Sequence, residues 1–422
     1  RDTAGSADAI TLDPNGGAVL AGVTTMTTAR VTSGIVTNTF IVGAGVTISE
    51  SGIEASGIGI TCANINGAQI GGRRNLVING AMMVAQRAIT TTSSGGVNAI
   101  DRMQGNHGGT DEAPTFAQVD VASGTSPYAE GFRKTAKFTN GNQTSGAGGG
   151  DYVHLKYVLE AQDIANSGWN FTSSSSFITL SFWVKSSVAQ AFSATFRSED
   201  GTRQVYNMTI DSLTADTWTK ITKTIPGNSN LQFDNNVNAG LTLFINAFSG
   251  TTNTTTDLAQ NTWSEWGSAK YSADMTSTWY TTNDATFEFT GIQLEVGSQA
   301  TAFEHRSYGE ELKLCERYFE VISQGDAYIA IAMCYSSSIA TGVVQCRTTK
   351  RTTPTIYQTS GSSYYRFYRD NSSEDLSSFT GLSGSHVNGA AFYKNSMSHT
   401  SGHAGGLHGV NASSLVALQA EI

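Results

Sequence analysis

The sequence predicts an all-β protein. Short runs of alternating apolar and polar residues are separated by Gly, Pro, Asn and Asp turn signals, and helical periodicity is confined to one short segment. Gly makes up 45 of the 422 residues, and only 14% of residues are charged, against about 25% in an average soluble protein. We expect a trimeric β shaft, an antiparallel jelly-roll or β-sandwich domain and a small C-terminal β knob.

Residues 1–72 are predicted to be the shaft. Short β-branched runs such as Ile35–Thr37 and Val46–Ile48 alternate with Gly, Ser and Thr, and Phe40 is the only aromatic residue of this segment. Such runs cannot build a core within one chain. We expect three chains to wind together, so that Ile and Val rows are buried along the axis and strand edges pair between chains. A flexible linker is the alternative interpretation.

Residues 73–305 are predicted to be the jelly roll, because their strands alternate regularly and are separated by turn residues. Residues 306–324 are predicted to be a short helical joint, in which Tyr308–Phe319 has a mixed-charge amphipathic pattern. The predicted strands of the jelly roll begin at Ile178, Phe192, Leu241 and Thr286.

Residues 325–422 are predicted to be the knob. Short strands are expected at Tyr328–Ile331, Gly342–Gln345, Pro354–Tyr357 and Tyr364–Tyr368. The chain closes with an apolar strand, Leu415–Ile422, which we expect to be paired within the knob or with a neighbouring subunit.

Several of these segments resemble a domain common in phage tail fibres and related virion appendages. The segment Phe289–Glu320 is the most specific of them. Near the start of the chain, ADAITLDPNGG (Ala7–Gly17) resembles the repeated sequences found where the shaft of such fibres begins. The resemblance implies a jelly roll similar to carbohydrate-binding modules. The matching strings are NLVINGAMMVAQRA (Asn75–Ala88) with Ile100–Arg102, ITLSFWVKSS (Ile178–Ser187), TWTKITKTIPG (Thr217–Gly227) and FTGIQLEVGSQATAFEHRSYGEELKLCERYFE (Phe289–Glu320).

The resemblance implies a structural virion protein, located in the tail or an appendage, that contacts a host surface glycan or receptor during adsorption. Its partners would be two copies of itself in a homotrimer and other phage tail or capsid proteins at its N-terminal end. A decoration or adaptor protein of the tail or capsid without a receptor role is the alternative. A secreted monomeric carbohydrate-binding module is a further one.

Composition and motifs argue against other classes. The formal charge of −9 makes nucleic-acid binding improbable, and no apolar run is long enough for membrane insertion. The sequence has no P-loop, HExxH or nucleophile-elbow motif, so we expect no enzyme activity and no cofactor. Calcium-binding relatives place an Asp on the last strand of the jelly roll, where this chain has Thr290 and Gly291.

Aromatic residues near the end of the jelly roll are candidates for glycan contact. Trp263, Trp266 and Trp279 lie in a polar, Thr-rich stretch, and sugars stack their C–H faces on flat rings while polar groups bind the hydroxyls. The alternative is that these rings pack between the two sheets.

The C-terminal zone offers a second candidate surface, Tyr365, Phe367 and Arg369, or the opposite set of the same strand, because alternation lets only one set face a partner. His399 and His403 are weak metal candidates, since their Gly-rich surroundings favour solvated loop histidines.

Overall fold

The computed structural model describes residues 73–422 throughout and residues 1–72 only in short strands. Two compact units are present, Arg1–Cys62 and Ala63–Ile422. The intertwined shaft predicted for residues 1–72 lies outside the described residues and stays a prediction. The described strands before residue 73 form antiparallel pairs: β1 (Ile10–Leu12) with β2 (Ala18–Leu20), β3 (Thr39–Ile41) with β4 (Val46–Ser49), β4 with β5 (Gly52–Ala55), and β6 (Asn64–Ile65) with β7 (Ala68–Gln69).

Two six-stranded antiparallel sheets then form a sandwich. Sheet I contains, in spatial order, β16 (Thr219–Pro226), β13 (Phe177–Ser186), β19 (Thr286–Val296), β11 (Lys134–Thr139), β10 (Thr115–Asp120) and β8 (Thr90–Thr91). Sheet II contains β18 (Trp263–Glu265), β15 (Gln204–Ile210), β14 (Phe192–Ser198), β17 (Ala239–Ser249), β12 (Tyr152–Glu160) and β9 (Gln104–Gly108).

The core of the sandwich lies between these sheets. Period-2 alternation sends one row of each strand inward, where Phe182 of sheet I and Phe196 of sheet II are fully buried. The ring of Phe192 stacks on that of Phe287 across the sheets at 4.5 Å. The predicted all-β class and the antiparallel sandwich are therefore confirmed, whereas the predicted trimer stays a prediction.

The remaining strands follow the sandwich and form two further antiparallel sheets. Sheet III contains β20 (Phe319–Gln324), β29 (Leu415–Gln419) and β23 (Thr355–Gln358). Sheet IV contains β25 (Ser372–Leu376), β24 (Tyr365–Arg369), β28 (Ala404–Gly409), β21 (Ala327–Ser336), β22 (Ile339–Gln345), β27 (Gly389–Lys394) and β26 (Gly381–His386).

The described helices are short: α1 (Ser126–Ala129), α2 (Ala161–Ala165), α3 (Thr278–Thr281) and α4 (Tyr308–Glu316). Among the described residues, no helix has the length and apolarity needed to span a membrane. α4 begins where the sequence predicts, with Ser307 and Glu310 forming a capping box. It ends at Glu316 rather than at the predicted Phe319, because Phe319 opens β20 and pairs with Gln419.

The closing strand is also shorter than predicted, since β29 ends at Gln419 and not at Ile422. The last residues leave sheet III and contact the sandwich. Glu421 accepts hydrogen bonds at 2.9 Å from both Arg87 and Arg102, and Arg102 is buried with its guanidinium 3.5 Å from the Tyr318 ring. These buried charge pairs tie the end of the chain to the sandwich.

The segments that carry the family resemblance contact one another. Asn75 accepts hydrogen bonds from Val77 and Leu294, and Asn79 donates its backbone N–H to Glu311 of α4. Gly80 is required by close approach, since a Cβ there would lie 2.1 Å from the carbonyl oxygen of Ile292. The segments Asn75–Ala88 and Phe289–Glu320 therefore form the junction between the start and the end of the sandwich.

Candidate functional site

The outer face of sheet II carries polar and aromatic side chains. Along β12, Val153 and Leu155 point into the core, whereas Tyr152, His154 and Lys156 point away from it. The register of β12 with β17 sets Lys156 opposite Phe244, which belongs to the same outward rows. The outer face thus presents rings and nitrogen-bearing groups side by side.

The segment 250–276 covers part of this face. The Thr195 hydroxyl lies 2.9 Å from Asn207 Oδ1 and 2.5 Å from the carbonyl oxygen of Tyr271. The Tyr271 ring packs edge-on against Phe244, with centroids 5.6 Å apart, and Trp266 packs against Tyr271 at 4.6 Å. The covering segment is therefore held to the sheet by ring packing and by the contact between the Thr195 hydroxyl and the Tyr271 carbonyl oxygen.

A cavity of about 250 Å³ remains between the covering segment and the sheet. Three rings pack together along one wall of the cavity. The rings of Tyr152 and His154 stack with centroids 5.2 Å apart and an interplanar angle of 19°, and Phe244 packs edge-on against His154 with centroids 5.2 Å apart. The cavity is lined by Asn106, Tyr152, His154, Lys156, Arg197, Phe244, Ser249, Asn253 and Tyr271.

His154 is neutral in this site. Burial, followed by the positive charges of Lys156 and Arg197, lowers the pKa of His154 to about 3. Asn106 Nδ2 lies 3.3 Å from His154 Nε2, and because the amide nitrogen is a donor, Nε2 accepts. The ring is thereby fixed beside Tyr152 as an uncharged surface.

Positive charge nevertheless exceeds negative charge at the cavity. Arg197 donates two hydrogen bonds to Glu199 Oε1, at 2.9 and 2.8 Å, and Arg203 pairs with the other oxygen of Glu199 at 3.1 Å. One carboxylate therefore faces Arg197, Arg203 and Lys156. Burial, followed by the charge of Arg197, lowers the pKa of Lys156, while Glu199 acts in the opposite direction.

The cavity combines flat rings with hydrogen-bonding groups. Among the described residues its lining includes ring faces, amides, the hydroxyls of Ser249 and of two tyrosines, and two cations, but no Asp or Glu. Within residues 73–422 and the described strands before them, no group of His, Cys, Asp and Glu is placed to hold a metal ion.

None of the three tryptophans predicted to contact a glycan is among the described residues that line this cavity. Trp279 has no exposed surface and donates its indole N–H to the carbonyl oxygen of Thr286 at 3.0 Å. Trp263 is buried against Tyr206 and donates to the carbonyl oxygen of Pro226 at 2.7 Å. The structure therefore excludes both rings as stacking platforms, because they pack within the sandwich. Trp266 is half-buried and does not line the cavity, but it contacts two residues that do: its ring packs edge-on against Tyr271, and the Arg197 guanidinium lies 5.0 Å from its ring centroid.

The predicted set on β24 faces inward. Tyr365 and Phe367 are buried in the core of sheets III and IV, and Arg369 is half-buried and donates to the carbonyl oxygen of Ser398 at 2.7 Å. The opposite set, Arg366 and Tyr368, faces outward. The prediction that Tyr365 and Phe367 contact a ligand is therefore wrong, because both side chains point into the core.

The two metal candidates have separate contacts. The ring of His399 lies edge-on to Phe367, with centroids 6.0 Å apart, and His403 Nδ1 is 3.6 Å from an oxygen of Asp370. Neither belongs to a described cluster that could hold a metal ion.

Sequence reasoning missed the cavity residues Tyr152, His154 and Lys156. The signal was present, since YVHLKYVLE alternates with period 2 and places those three residues on one face. Sequence could not show that segment 250–276 covers this face and leaves a cavity.

No family model matches the sequence, and a search of curated proteins finds no match either. Among solved structures, the chain is similar to the enzymatically active domain of bacteriophage CBA120 tailspike protein 4, with 9% identity, a TM-score of 0.28 and coverage of 53% of this chain and 21% of that one. The chain thus spans about a fifth of the tailspike structure.

Two carbohydrate-binding structures show similar values. A family 4 carbohydrate-binding module has 10% identity, a TM-score of 0.27 and coverage of 52% of this chain and 97% of that one. The N-terminal cellulose-binding domain of Cellulomonas fimi β-1,4-glucanase C has 8% identity, a TM-score of 0.24 and coverage of 52% and 99%. Similarities of this size carry no inference about function, which must come from the site.

Proposed function

We propose that the chain is a non-enzymatic glycan-binding protein and that the cavity on sheet II is its glycan site. The observation that carries the proposal is the convergence of ring faces and hydrogen-bonding groups in one cavity. Tyr152 and Tyr271 offer surfaces for sugar C–H groups, while Asn106, Asn253 and Ser249 offer donors and acceptors for hydroxyls.

The size of the cavity favours a single sugar unit. Its volume of about 250 Å³ lies just below the range of about 300–1,000 Å³ that is typical of small-molecule sites. A terminal residue or a side branch of a glycan fits such a site better than an extended chain does.

The finer proposal is that this protein is part of a phage tail fibre or appendage and binds a host surface glycan during adsorption. Support comes from the resemblance of Asn75–Ala88 and Phe289–Glu320 to fibre domains. Weak binding at one site would suffice, because several copies on one particle raise the effective concentration.

A glycan array probed with the full chain tests the glycan-binding proposal. We expect Tyr152→Ala to lower the affinity for any glycan that gives a signal on the array at least tenfold, because one stacking surface is lost. Tyr308→Ala, which truncates an exposed ring on α4 away from the cavity lining, is the matched control and should bind as the unmodified chain does. Absence of any positive glycan, or equal binding by both variants, would contradict the proposed site.

Competition with phage adsorption tests the virion role. A receptor-binding fibre added in excess should reduce adsorption of the phage that carries it, and Tyr152→Ala should reduce adsorption less. A chain that binds glycans but never competes would instead be a decoration, an adaptor or a secreted binding module.

A further inference from the structure

The charge of the cavity specifies which glycans fit. The chain as a whole has 25 basic and 34 acidic residues, yet the described residues that line the cavity include Lys156 and Arg197 and no acid. A basic cavity in an acidic protein is a local feature that the overall composition does not explain.

Among the described residues that line the cavity, Lys156 is the cation that pairs with no carboxylate. Arg197 and Arg203 share the carboxylate of Glu199, which also accepts a hydrogen bond from Thr242 at 2.6 Å. Within the described part of the chain, Lys156 forms no ion pair. Its ammonium is half-buried in the cavity, where a counter-charge would be poorly screened by water.

We propose that the cavity binds an acidic sugar and that Lys156 binds its carboxylate. The inference rests on the proposed glycan function. The ring of the sugar lies against Tyr152 and Tyr271, and its carboxylate accepts a charge-assisted hydrogen bond from the Lys156 ammonium. His154, held neutral, contributes a flat surface and no competing charge.

The test compares forms of one sugar that differ only at the carboxyl group. The full chain is titrated calorimetrically with an oligosaccharide ending in glucuronate or galacturonate, with the methyl ester of the same sugar and with its carboxyl-reduced form. We expect the acid to bind about tenfold or more tightly than the ester, as a charge-assisted hydrogen bond provides. Lys156→Met should abolish that preference, so that the acid and the ester bind with equal affinity.

Lys223→Met on β16 is the matched control, because it removes the same charge from sheet I, away from the cavity lining. It should keep the preference for the acid. Equal binding of acid and ester, or a preference that survives Lys156→Met, overturns the acidic-sugar inference but leaves glycan binding intact. If neither acidic nor neutral glycans bind, the proposed function itself fails.

A different observation concerns the outer face of sheet IV. The register places Tyr328, Ile331, Met333 and Tyr335 of β21 on one side, since the bulge between Tyr328 and Ala330 restores their parity. Val343 of β22 lies on the same side. These side chains are exposed: Tyr328 70%, Ile331 86%, Met333 49%, Tyr335 68% and Val343 65%.

The area of this apolar face approaches that of a protein interface. Taking about 200 Å² for a fully exposed large side chain, the five residues expose roughly 700 Å². That value lies slightly above the largest patch on a typical monomer, about 300–600 Å², and near the roughly 800 Å² per partner of a stable interface.

The charge of the face suits a second copy of the same chain. In the five neighbouring strands from β25 to β22, the outward-facing charged residues are Arg366 and Asp375, which pair at 3.2 Å. The centre of the face therefore carries no net charge although the chain carries −9, and copies can meet there without repulsion. The carboxylate of Asp326 lies at the edge of the face, 3.5 Å from His408 Nδ1. Ile331, Met333 and Val343 offer no hydrogen bonds to a sugar.

We propose that copies of this chain associate through the outer face of sheet IV. Light scattering of the full chain should give a multiple of 44.6 kDa. In that assembly, peroxide should oxidise Met333 several-fold more slowly than in Ile331→Asp, because a partner covers the face. Ile89→Asp, which changes another isoleucine of high exposure, is the control and should retain the slow oxidation.

Two results would overturn this assignment. A mass of 44.6 kDa at every concentration would show that the chain does not associate with itself. Equally fast oxidation of Met333 in the assembled unmodified chain and in Ile331→Asp would show that the face remains bare and that copies meet elsewhere.

Discussion

The outer faces of sheets II and IV follow the same two-residue alternation but have opposite chemistry and exposure. On sheet II the outward residues Thr195, Asn207 and Asn246 are polar and buried beneath segment 250–276. On sheet IV the outward residues Ile331 and Tyr335 are apolar and exposed. Polarity and burial are thus reversed relative to the usual pattern on both sheets.

The difference shows how each face is completed. Polar side chains on sheet II are buried with partners from two sources: Asn207 and Asn246 bond to hydroxyls of the sheet itself, and Thr195 also lies within reach of a carbonyl oxygen of the covering segment. The gap that the segment leaves is the cavity. Within the part of the chain that the structure describes, no segment covers the apolar face of sheet IV, and its side chains are exposed. The proposed glycan site uses the covered polar face, and the proposed self-association uses the uncovered apolar face.

The largest predicted difference between the two regions concerns aromatic truncation. Trp279→Ala should lower the free energy of unfolding by about 3–5 kcal/mol, because a fully buried ring and its hydrogen bond to Thr286 are lost. Tyr335→Ala on the bare face should change it by less than about 0.5 kcal/mol. Urea denaturation of dilute protein measures both, and similar losses would contradict the assignment of Tyr335 to an uncovered surface.

The second prediction concerns acid stability. The folded pKa of His154 is about 3 and its ordinary value is 6.5, so below pH 6.5 the unfolded chain binds a proton that the folded chain does not. The contribution to stability is complete above pH 6.5 and decreases as pH falls, by about 1.4 kcal/mol per pH unit. Lowering the pH from 6.5 to 5 should therefore cost about 2 kcal/mol through this residue.

His154→Gln should remove that part of the pH dependence, since glutamine does not titrate and still offers an acceptor near Asn106. His386→Gln, at an exposed position on sheet IV, is the control and should keep the slope of the unmodified chain. Denaturation midpoints between pH 5 and 7 measure the slopes. An unchanged slope in His154→Gln would mean that this ring is not buried in neutral form.

The sequence was sufficient for the fold because alternation and turns are local signals. β13 and β19 lie where alternation places them, with Thr286 opening β19 as predicted. Local signals failed at the ends of elements. α4 stops before Phe319, and β29 stops before Ile422, because contacts between distant segments decide both.

The candidate site was harder to predict, for two reasons. Aromatic density does not reveal which side of a strand faces the core, and Trp279 and Phe367 both point inward. The family resemblance rests on residues such as Asn75 and Gly80 that hold the sandwich together, so it reports the fold and not the ligand. The cavity depends on a covering segment whose position is a tertiary property.

The smallest predicted difference isolates the hydrogen bonds that hold the covering segment. Thr195→Val preserves side-chain shape but removes the hydroxyl, whose single proton can be donated either to Asn207 Oδ1 or to the carbonyl oxygen of Tyr271, so one of these acceptors loses its donor. The cost should be about 1 kcal/mol or somewhat more. Thr341→Val, the same change on the outer face of sheet IV, removes no described hydrogen bond and should be neutral within about 0.5 kcal/mol. Differential scanning calorimetry measures the unfolding midpoints of both variants. Equal midpoints would mean that ring packing alone holds the covering segment. The polar residues of sheet II would then serve the ligand rather than the fold.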